Sequence, residues 1–427
     1  MGFSAFLLLF FALIGLGVPI AFVLGLSSFA YILIEGQTSL LLATGQRMVQ
    51  GVNNFSLLAV PFFLLAGELM NRGGITWRLI EFAQSILGHF HGGLAYVNIV
   101  VSGFLSSIIG SANAVAAITS ASIVPEMARK GYNLNAASAV SAAAATMGPI
   151  VPPSLILILY GVAANTSIGA LFLAGIIPGL LLGAGFFVAA YFVSRRDAGI
   201  QRTPRVTTKQ ALRATLVALP PLSIPLVILG GIISGVFTPT EAGAIACVLA
   251  IGLGGFFYRE LAWRDLPGIV LRAGIVTAGV LFIAATAALF GWIMAIERIP
   301  AIVAAWMTGL SSDPNIILLM IMASLLVIGL FLEPLAAILI TVPVLLPVAT
   351  QLGIHPVHFG MMMSVNLVIG LITPPVGLVL FIVTGITRVS VVALSRALLP
   401  YYLGALVVLF LVTFVPQLSL FLPDLFK

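Results

Sequence analysis

The chain has 427 residues, of which 61% are hydrophobic and 7% charged, with a formal net charge of +6. Soluble domains carry roughly a quarter charged residues, so a chain this poor in charge has no means of covering a water-facing surface. Its mean hydropathy of +1.24 says the same, and the single cysteine, Cys247, excludes an internal disulfide and a cysteine-based metal site.

A spanning helix takes about 20 mostly apolar residues. Runs of that order recur from end to end, enough for roughly ten to twelve crossings or half-crossings. They are long and rich in Leu, Ile, Ala and Gly, unlike the short alternating segments of a barrel, so they read as helices. Met1-Gly2-Phe3 leads directly into Leu and Phe, with no basic start and no cleavage site. The first segment is therefore expected to be a membrane helix rather than a removable signal.

The apolar run that begins near Leu94 is interrupted by Ser106-Ser107-Ile108-Ile109-Gly110-Ser111-Ala112-Asn113, and a polar turn, Arg129 to Asn133, follows. This pattern predicts a hairpin over about 92–130 that enters the membrane and turns back. The next apolar stretch is broken by Gly148-Pro149-Ile150-Val151-Pro152-Pro153-Ser154. Tandem prolines remove two consecutive amide donors, so a broken helix is expected over about 134–165. Ala112, Ala114, Ala116, Ala117 and Ala142 to Ala145 crowd this region, which suits close helix packing.

Six of the 18 basic residues (Arg195, Arg196, Arg202, Arg205, Lys209 and Arg213) then face one acid, Asp197. Basic loops stay inside, so 195–213 reads as a cytoplasmic linker between two halves, 1–194 and 214–427. In the second half, Thr238-Pro239-Thr240-Glu241 looks like a capped helix start. A second hairpin is expected over about 313–351, interrupted at Gly329 to Leu335, and a second broken helix over about 356–386, with Gly370-Leu371-Ile372-Thr373-Pro374-Pro375-Val376-Gly377 as its break.

The halves repeat. At a constant offset of 222 residues, Pro125 pairs with Pro347, Gly131 with Gly353, Gly148 with Gly370, Pro152-Pro153 with Pro374-Pro375, Pro178 with Pro400 and Thr119 with Thr341. Proline and glycine fix backbone geometry, so both halves are expected to break at equivalent points. Many secondary transporters are built from two repeats inverted in the membrane, with sites near the midplane at discontinuous helices; inversion here rests on that analogy. Carbonyls freed at a break are tolerated only inside protein or along a cavity, and they suit a small cation; a proline kink satisfied by neighbouring helices is the plainer alternative.

Glu68, Glu241, Glu297, Arg298, Glu333 and Arg388 are the notable charges inside apolar segments, and such residues are usually functional. His355 and His358 have metal-like spacing but no third ligand beside them, so no transition metal is expected. No Gly-Lys-Ser/Thr phosphate motif occurs, and transport must draw on an ion gradient or a partner.

Four stretches together resemble the large membrane subunit of tripartite ATP-independent periplasmic (TRAP) transporters, within the ion transporter superfamily. They are Pro61-Phe62-Phe63-Leu64-Leu65-Ala66-Gly67-Glu68-Leu69-Met70, Gly235-Val236-Phe237-Thr238-Pro239-Thr240-Glu241-Ala242, and the two Gly-to-Pro-Pro breaks. The likeness spans essentially the whole chain. It implies an all-α integral membrane protein of the inverted-repeat elevator type, with two re-entrant hairpins and two broken helices, in the bacterial inner membrane. It also implies sodium-coupled uptake of an organic acid, such as a C4-dicarboxylate or sialic acid, delivered by a periplasmic substrate-binding protein. A small membrane subunit is expected as a separate chain, and no cofactor beyond the coupling sodium ions.

Carried over by motif, one sodium would be held by Ser107, Gly110, Gly148, Val151 and Pro153, and a second by Gly329, Gly370, Thr373 and Val376. No arginine lies in the breaks, so the resemblance leaves the carboxylate to hairpin amides, helix N-termini and hydroxyls. Ser111, Asn113, Ser154 and Glu333 are the candidates, with Arg47 or Arg388 as cations if the fold brings them near. A stand-alone ion-coupled anion carrier, or an intramembrane enzyme, is the competing reading.

Overall fold

The structure, a computed structural model, describes residues 2–36, 38–197, 199–201 and 204–426, and Arg202 of the basic stretch lies outside the described residues. Among those residues every regular element is helical. The chain opens with α1 (Gly2–Gly15), α2 (Ile20–Ile34), α3 (Thr38–Val52), α4 (Ala59–Arg72) and the amphipathic α5 (Ile75–Leu87). Next come α6 (Gly93–Ile109), α7 (Ala112–Arg129), α8 (Leu134–Ala145), α9 (Leu155–Ala163) and α10 (Ile168–Arg196). The second half holds α11 (Thr208–Ile233), α12 (Pro239–Ile251), α13 (Leu266–Ile296) and α14 (Ile299–Leu310). It continues through α15 (Pro314–Phe331), α16 (Pro334–Gln351), α17 (Pro356–Gly370), α18 (Leu378–Thr387), α19 (Val391–Phe414) and α20 (Gln417–Leu425).

Eight helical segments among the described residues are long and apolar enough to cross a membrane. The other apolar helices are shorter, in part because the broken helices are each split into two pieces, α8 with α9 and α17 with α18. Leu212, Leu216, Leu219 and Leu226 of α11 are each more than half exposed, a surface that water would penalise and lipid accepts.

Two packing units emerge. Helices α1 to α5 pack with α11 to α13, chiefly α12 on α4, α13 on α2 and α3, and α11 on α5, while α14 packs mainly on α16. At α3 the fit is tight enough that a Cβ on Gly51 would lie 2.4 Å from the Ala288 Cβ. The start of α12 is fixed by a capping box, as Thr238-Glu241 suggested: the Thr238 amide donates to Glu241 Oε2 at 2.7 Å and the Glu241 amide to Thr238 Oγ1 at 3.2 Å.

The second unit contains the repeat. The 222-residue offset carries α7, Ala112–Arg129, onto α16, Pro334–Gln351, end for end. Gly131 and Gly353, which close the following turns, both take left-handed φ angles, 85° and 75°. Thr119 and Thr341 each donate to the carbonyl four residues back, Val115 and Ala337. Partners are exchanged between the repeats: α7 packs on α18 and α16 on α9, while α8 packs on α19 and α17 on α10. Reciprocal exchange of this kind is the packing that two copies related by a two-fold axis require. Tyr160 of α9 ties the exchange by donating to the Pro356 carbonyl at 2.6 Å.

The segment after α10 folds back on this unit. The Gln201 amide donates to the Lys130 carbonyl at 2.9 Å and the Asn133 amide to Asp197 Oδ2 at 3.0 Å. Gly131 and Gly199 are in backbone contact there, since a Cβ on Gly131 would lie 2.2 Å from the Gly199 oxygen.

Candidate functional site

The hairpin tips are set by their caps. At the first, α6 ends at Ile109 and Gly110 turns the chain with a left-handed φ of 65°. Ser111 is the N-cap of α7, its hydroxyl accepting from the Ala114 amide at 3.4 Å. At the second, Glu333 stands at the N-cap of α16, yet its carboxylate makes no capping bond. It meets the other hairpin instead, where Asn113 Nδ2 donates to Glu333 Oε1 at 3.5 Å. The 222-residue offset relates Ser111 to Glu333, so equivalent tips of the repeat face one another.

Between the tips lies a cavity of about 20 Å³, lined by Gly110, Ser111, Asn113, Pro149, Glu333 and Leu371 among others. That is room for about one water molecule, so the tips are closed against each other. Residues in the first turns of α7, α9 and α16 (Ala112, Ile156 and Pro334) also line it. Three helix N-termini therefore converge there, and each favours negative charge. Among the described residues, no arginine or lysine lines the cavity. Asn113 Oδ1 is buried without a hydrogen-bond partner.

The breaks flank this cavity. In the first, α8 ends at Ala145 and α9 begins at Leu155, with the Pro152–Pro153 bond cis. Ser154 is fully buried; its hydroxyl donates to the Pro149 carbonyl and accepts from the Leu157 amide as the cap of α9. The structure thus spends Ser154 inside the break. A Cβ on Gly148 would lie 3.1 Å from Ser106 Oγ, a buried oxygen with no partner. Ser107 Oγ donates to the Phe104 carbonyl at 2.8 Å, which leaves its lone pairs unused.

In the second break, α17 ends at Gly370 and α18 begins at Leu378, with the Pro374–Pro375 bond cis. Gly370 lies against the backbone of Gly329, so hairpin and break touch here without a side chain between them. Thr373 Oγ1 donates to the Ile369 carbonyl at 2.8 Å, again presenting lone pairs. Gly377 takes a φ of 53°, and a Cβ there would lie 2.9 Å from the Thr373 oxygen and 3.0 Å from the Leu371 oxygen. Its amide donates to the Leu330 carbonyl at 3.3 Å.

The breaks differ in exposure. Pro152 and Pro153 are buried, whereas Pro374 and Pro375 are exposed. The cause lies in the following helix: Gly175 and Gly179 let α10 close on Ile150 and Val151. At the offset positions α19 carries Ala397 and Tyr401, and the neighbouring Tyr402 hydroxyl donates to the Ile372 carbonyl.

Of the residues singled out in the sequence, Gly110, Ser111, Asn113 and Glu333 share the cavity, Gly148 meets the first hairpin and Gly329 meets Gly370. Val151 and Val376 are half-buried and Pro153 is buried. Arg47 lies over the Trp292 ring at 5.1 Å, and Arg388 is the left-handed residue closing α18. Neither lines the cavity. His355 caps α17, and His358 is buried against Ser419 Oγ at 2.7 Å and the Thr413 carbonyl at 3.2 Å. Sequence reasoning gave no role to Ser106 or Gly377. Both stand inside the quoted motifs, but only contact geometry separates them from their neighbours.

Residues 7–418 match the family described as "Tripartite ATP-independent periplasmic transporter, DctM component". The sialic acid TRAP transporter large permease protein SiaM of Vibrio cholerae is 40% identical over 410 residues, covering 96% of each chain. The C4-dicarboxylate TRAP transporter large permease protein DctM of Pseudomonas aeruginosa is 40% identical over 378 residues, 88% of each chain. The isethionate TRAP transporter permease protein DctMQ of Oleidesulfovibrio alaskensis is 39% identical over 405 residues, 95% of this chain but 64% of that protein. The crystal structure of the Alcanivorax borkumensis YdaH transporter shares the fold, with a TM-score of 0.62 and 16% identity over 89% of this chain and 88% of that one. Large permeases of this kind work with a substrate-binding protein and a small subunit. Two breaks, two hairpins and a family match over nearly the whole chain lead to one conclusion: the chain belongs to the DctM family of TRAP transporter large permeases, inner-membrane transporter subunits and not enzymes.

Proposed function

We propose that the chain carries a carboxylate-bearing organic acid inward, coupled to sodium and handed over by a periplasmic binding protein. The observation behind this is the convergence of three helix N-termini on the cavity between the hairpin tips, flanked by two proline-enforced breaks. The N-termini favour an anion. Carbonyls and hydroxyl lone pairs at the breaks suit a hard cation. One sodium is assigned to Ser107, Gly110, Gly148, Val151 and Pro153, and another to Gly329, Gly370, Thr373 and Val376. A C4-dicarboxylate or a sialic acid is the class of cargo named for two relatives about 40% identical.

The repeats are taken as 1–194 and 214–427, with 195–213 as the cytoplasmic linker. The unit holding the hairpins and breaks moves as a body against α1–α5 and α11–α13, in elevator fashion. A cavity of about 320 Å³ between the two units, lined by Gly51, Ala284, Ala287, Ala288 and Gly291 of the static side, supports such sliding because small residues oppose the moving face. The small subunit is a separate chain.

Uptake by proteoliposomes holding the chain and its small subunit tests this. A labelled panel of organic acids is offered with the binding protein under an inward sodium gradient. Uptake should need both the gradient and the binding protein. Equal uptake without sodium overturns the coupling, and robust uptake by the chain alone favours a stand-alone carrier.

A further inference from the structure

A pocket near the linker lies between α5 and α11. It has a volume of about 780 Å³ and is walled by Trp77, Arg78, Gln210, Arg213, Val217 and Tyr258 among others. Its side of the membrane follows from the chain. Helix α11 begins directly after the basic linker, and His91, just past α5, has Nε2 3.0 Å from the Ser194 carbonyl at the end of α10. Both walls therefore reach the end that the positive-inside rule places in the cytoplasm.

The floor of the pocket is prebuilt. The Arg78 guanidinium lies over the Tyr258 ring at 3.8 Å and donates to Glu260 Oε1 at 2.7 Å. The Tyr258 hydroxyl donates to the Val217 carbonyl at 2.6 Å, joining the segment after α12 to α11. Both acids of the pocket are engaged, Glu260 by Arg78 and Glu81 by the Trp77 indole at 2.9 Å. Among the described residues, Arg213 forms no ion pair, and neither do Arg205 and Lys209 beside it. The neutral Trp77 indole cancels no charge, so among these residues Glu81 is the one unpaired acid of the pocket, set against the unpaired Arg205, Lys209 and Arg213.

Two features extend the pocket toward lipid. Trp77 and Phe257 are more than half exposed at its rim, as aromatic side chains are at headgroup level. Leu212, Leu216 and Leu219, at helical spacing on α11 next to Arg213, form an exposed apolar stripe.

We propose that this pocket holds the headgroup of an anionic phospholipid, with its phosphate at Arg213 and an acyl chain along Leu212, Leu216 and Leu219. The unpaired basic residues outnumber the one unpaired acid, Glu260 is held by Arg78, and the apolar stripe continues where the acyl chains would run. The lipid bridges α5 and α11, both of the static unit, and so braces the frame against which the other unit moves.

Native mass spectrometry of the permease with its small subunit, titrated with phosphatidylglycerol or phosphatidylcholine of equal chain length, tests the assignment. Phosphatidylglycerol should be retained preferentially. Arg213→Gln should lower its retention about fivefold, Arg213→Lys should restore most of it, and phosphatidylcholine should be unaffected. Ala214→Trp, which sets a bulky ring in the wall of the pocket beside Arg213 and leaves the charges in place, should also displace phosphatidylglycerol. Equal retention of the two lipids by the wild type overturns the proposal, as does wild-type retention in Arg213→Gln. A photoactivatable probe on a Ser85→Cys variant should mark phosphatidylglycerol; capture of the small subunit instead would make the pocket a protein interface and overturn the lipid reading.

Discussion

Gly370 and Gly329 meet backbone to backbone: a Cβ added to Gly370 would lie 2.4 Å from the carbonyl carbon of Gly329, closer than any real contact. The first repeat is looser at this point, since a Cβ on Gly148 would meet the Ala145 carbonyl and the movable Ser106 hydroxyl, each at 3.1 Å. Gly370→Ala is therefore expected to abolish sodium-dependent uptake and to cost about 1–3 kcal/mol of stability. Gly148→Ala should cost less on both counts. Uptake and thermal unfolding, measured on both variants, check the ranking; equal losses would contradict it.

Thr373 donates its proton to the Ile369 carbonyl and so presents oxygen lone pairs. Thr373→Ala should raise the sodium concentration for half-maximal uptake about tenfold, the equivalent of roughly 1.4 kcal/mol. Thr373→Ser should stay close to wild type. An unchanged sodium dependence in the alanine variant would remove Thr373 from the site.

Asn113 and Glu333 link the two hairpin tips. Their single substitutions, Asn113→Ala and Glu333→Gln, should each depress uptake, and the double variant should lose less than the sum, as groups in contact do. Strict additivity in uptake rates would show that the tips act independently.

Thr238→Ala removes half of the capping box at α12, in the static unit. Stability should fall by about 1 kcal/mol, with the sodium dependence of uptake untouched. Thermal unfolding paired with a sodium titration checks both halves of that statement.

Cys247, the one native thiol, is buried, so an introduced cysteine can be read cleanly. Gln201→Cys should react with an impermeant thiol reagent from the cytoplasmic side alone. Labelling from the periplasm would reverse the topology.

The breaks and the repeat were legible because proline dictates backbone geometry whatever surrounds it, and Pro152-Pro153 and Pro374-Pro375 stand at one offset. Glu241 as a cap was legible because Thr238 lies three residues before it. Ser154 was not: its hydroxyl turns inward to Pro149, and no spacing rule says which way a side chain at a break will face. The difference between the two breaks was equally hidden, because it is decided on another helix by Gly175 and Gly179. The meeting of Ser111 and Glu333 across the cavity depends on how the two repeats interlock, which pairwise offsets along a chain do not encode.

That difference between the breaks bears on timing. Under the sodium reading, the ion at Pro374-Pro375 occupies a doorway, while the one at Pro152-Pro153 sits in a back room sealed by α10. The two ions are then not interchangeable passengers. The sealed one boards early and leaves late, and a single turnover acquires a built-in sequence from a helix that merely carries two glycines.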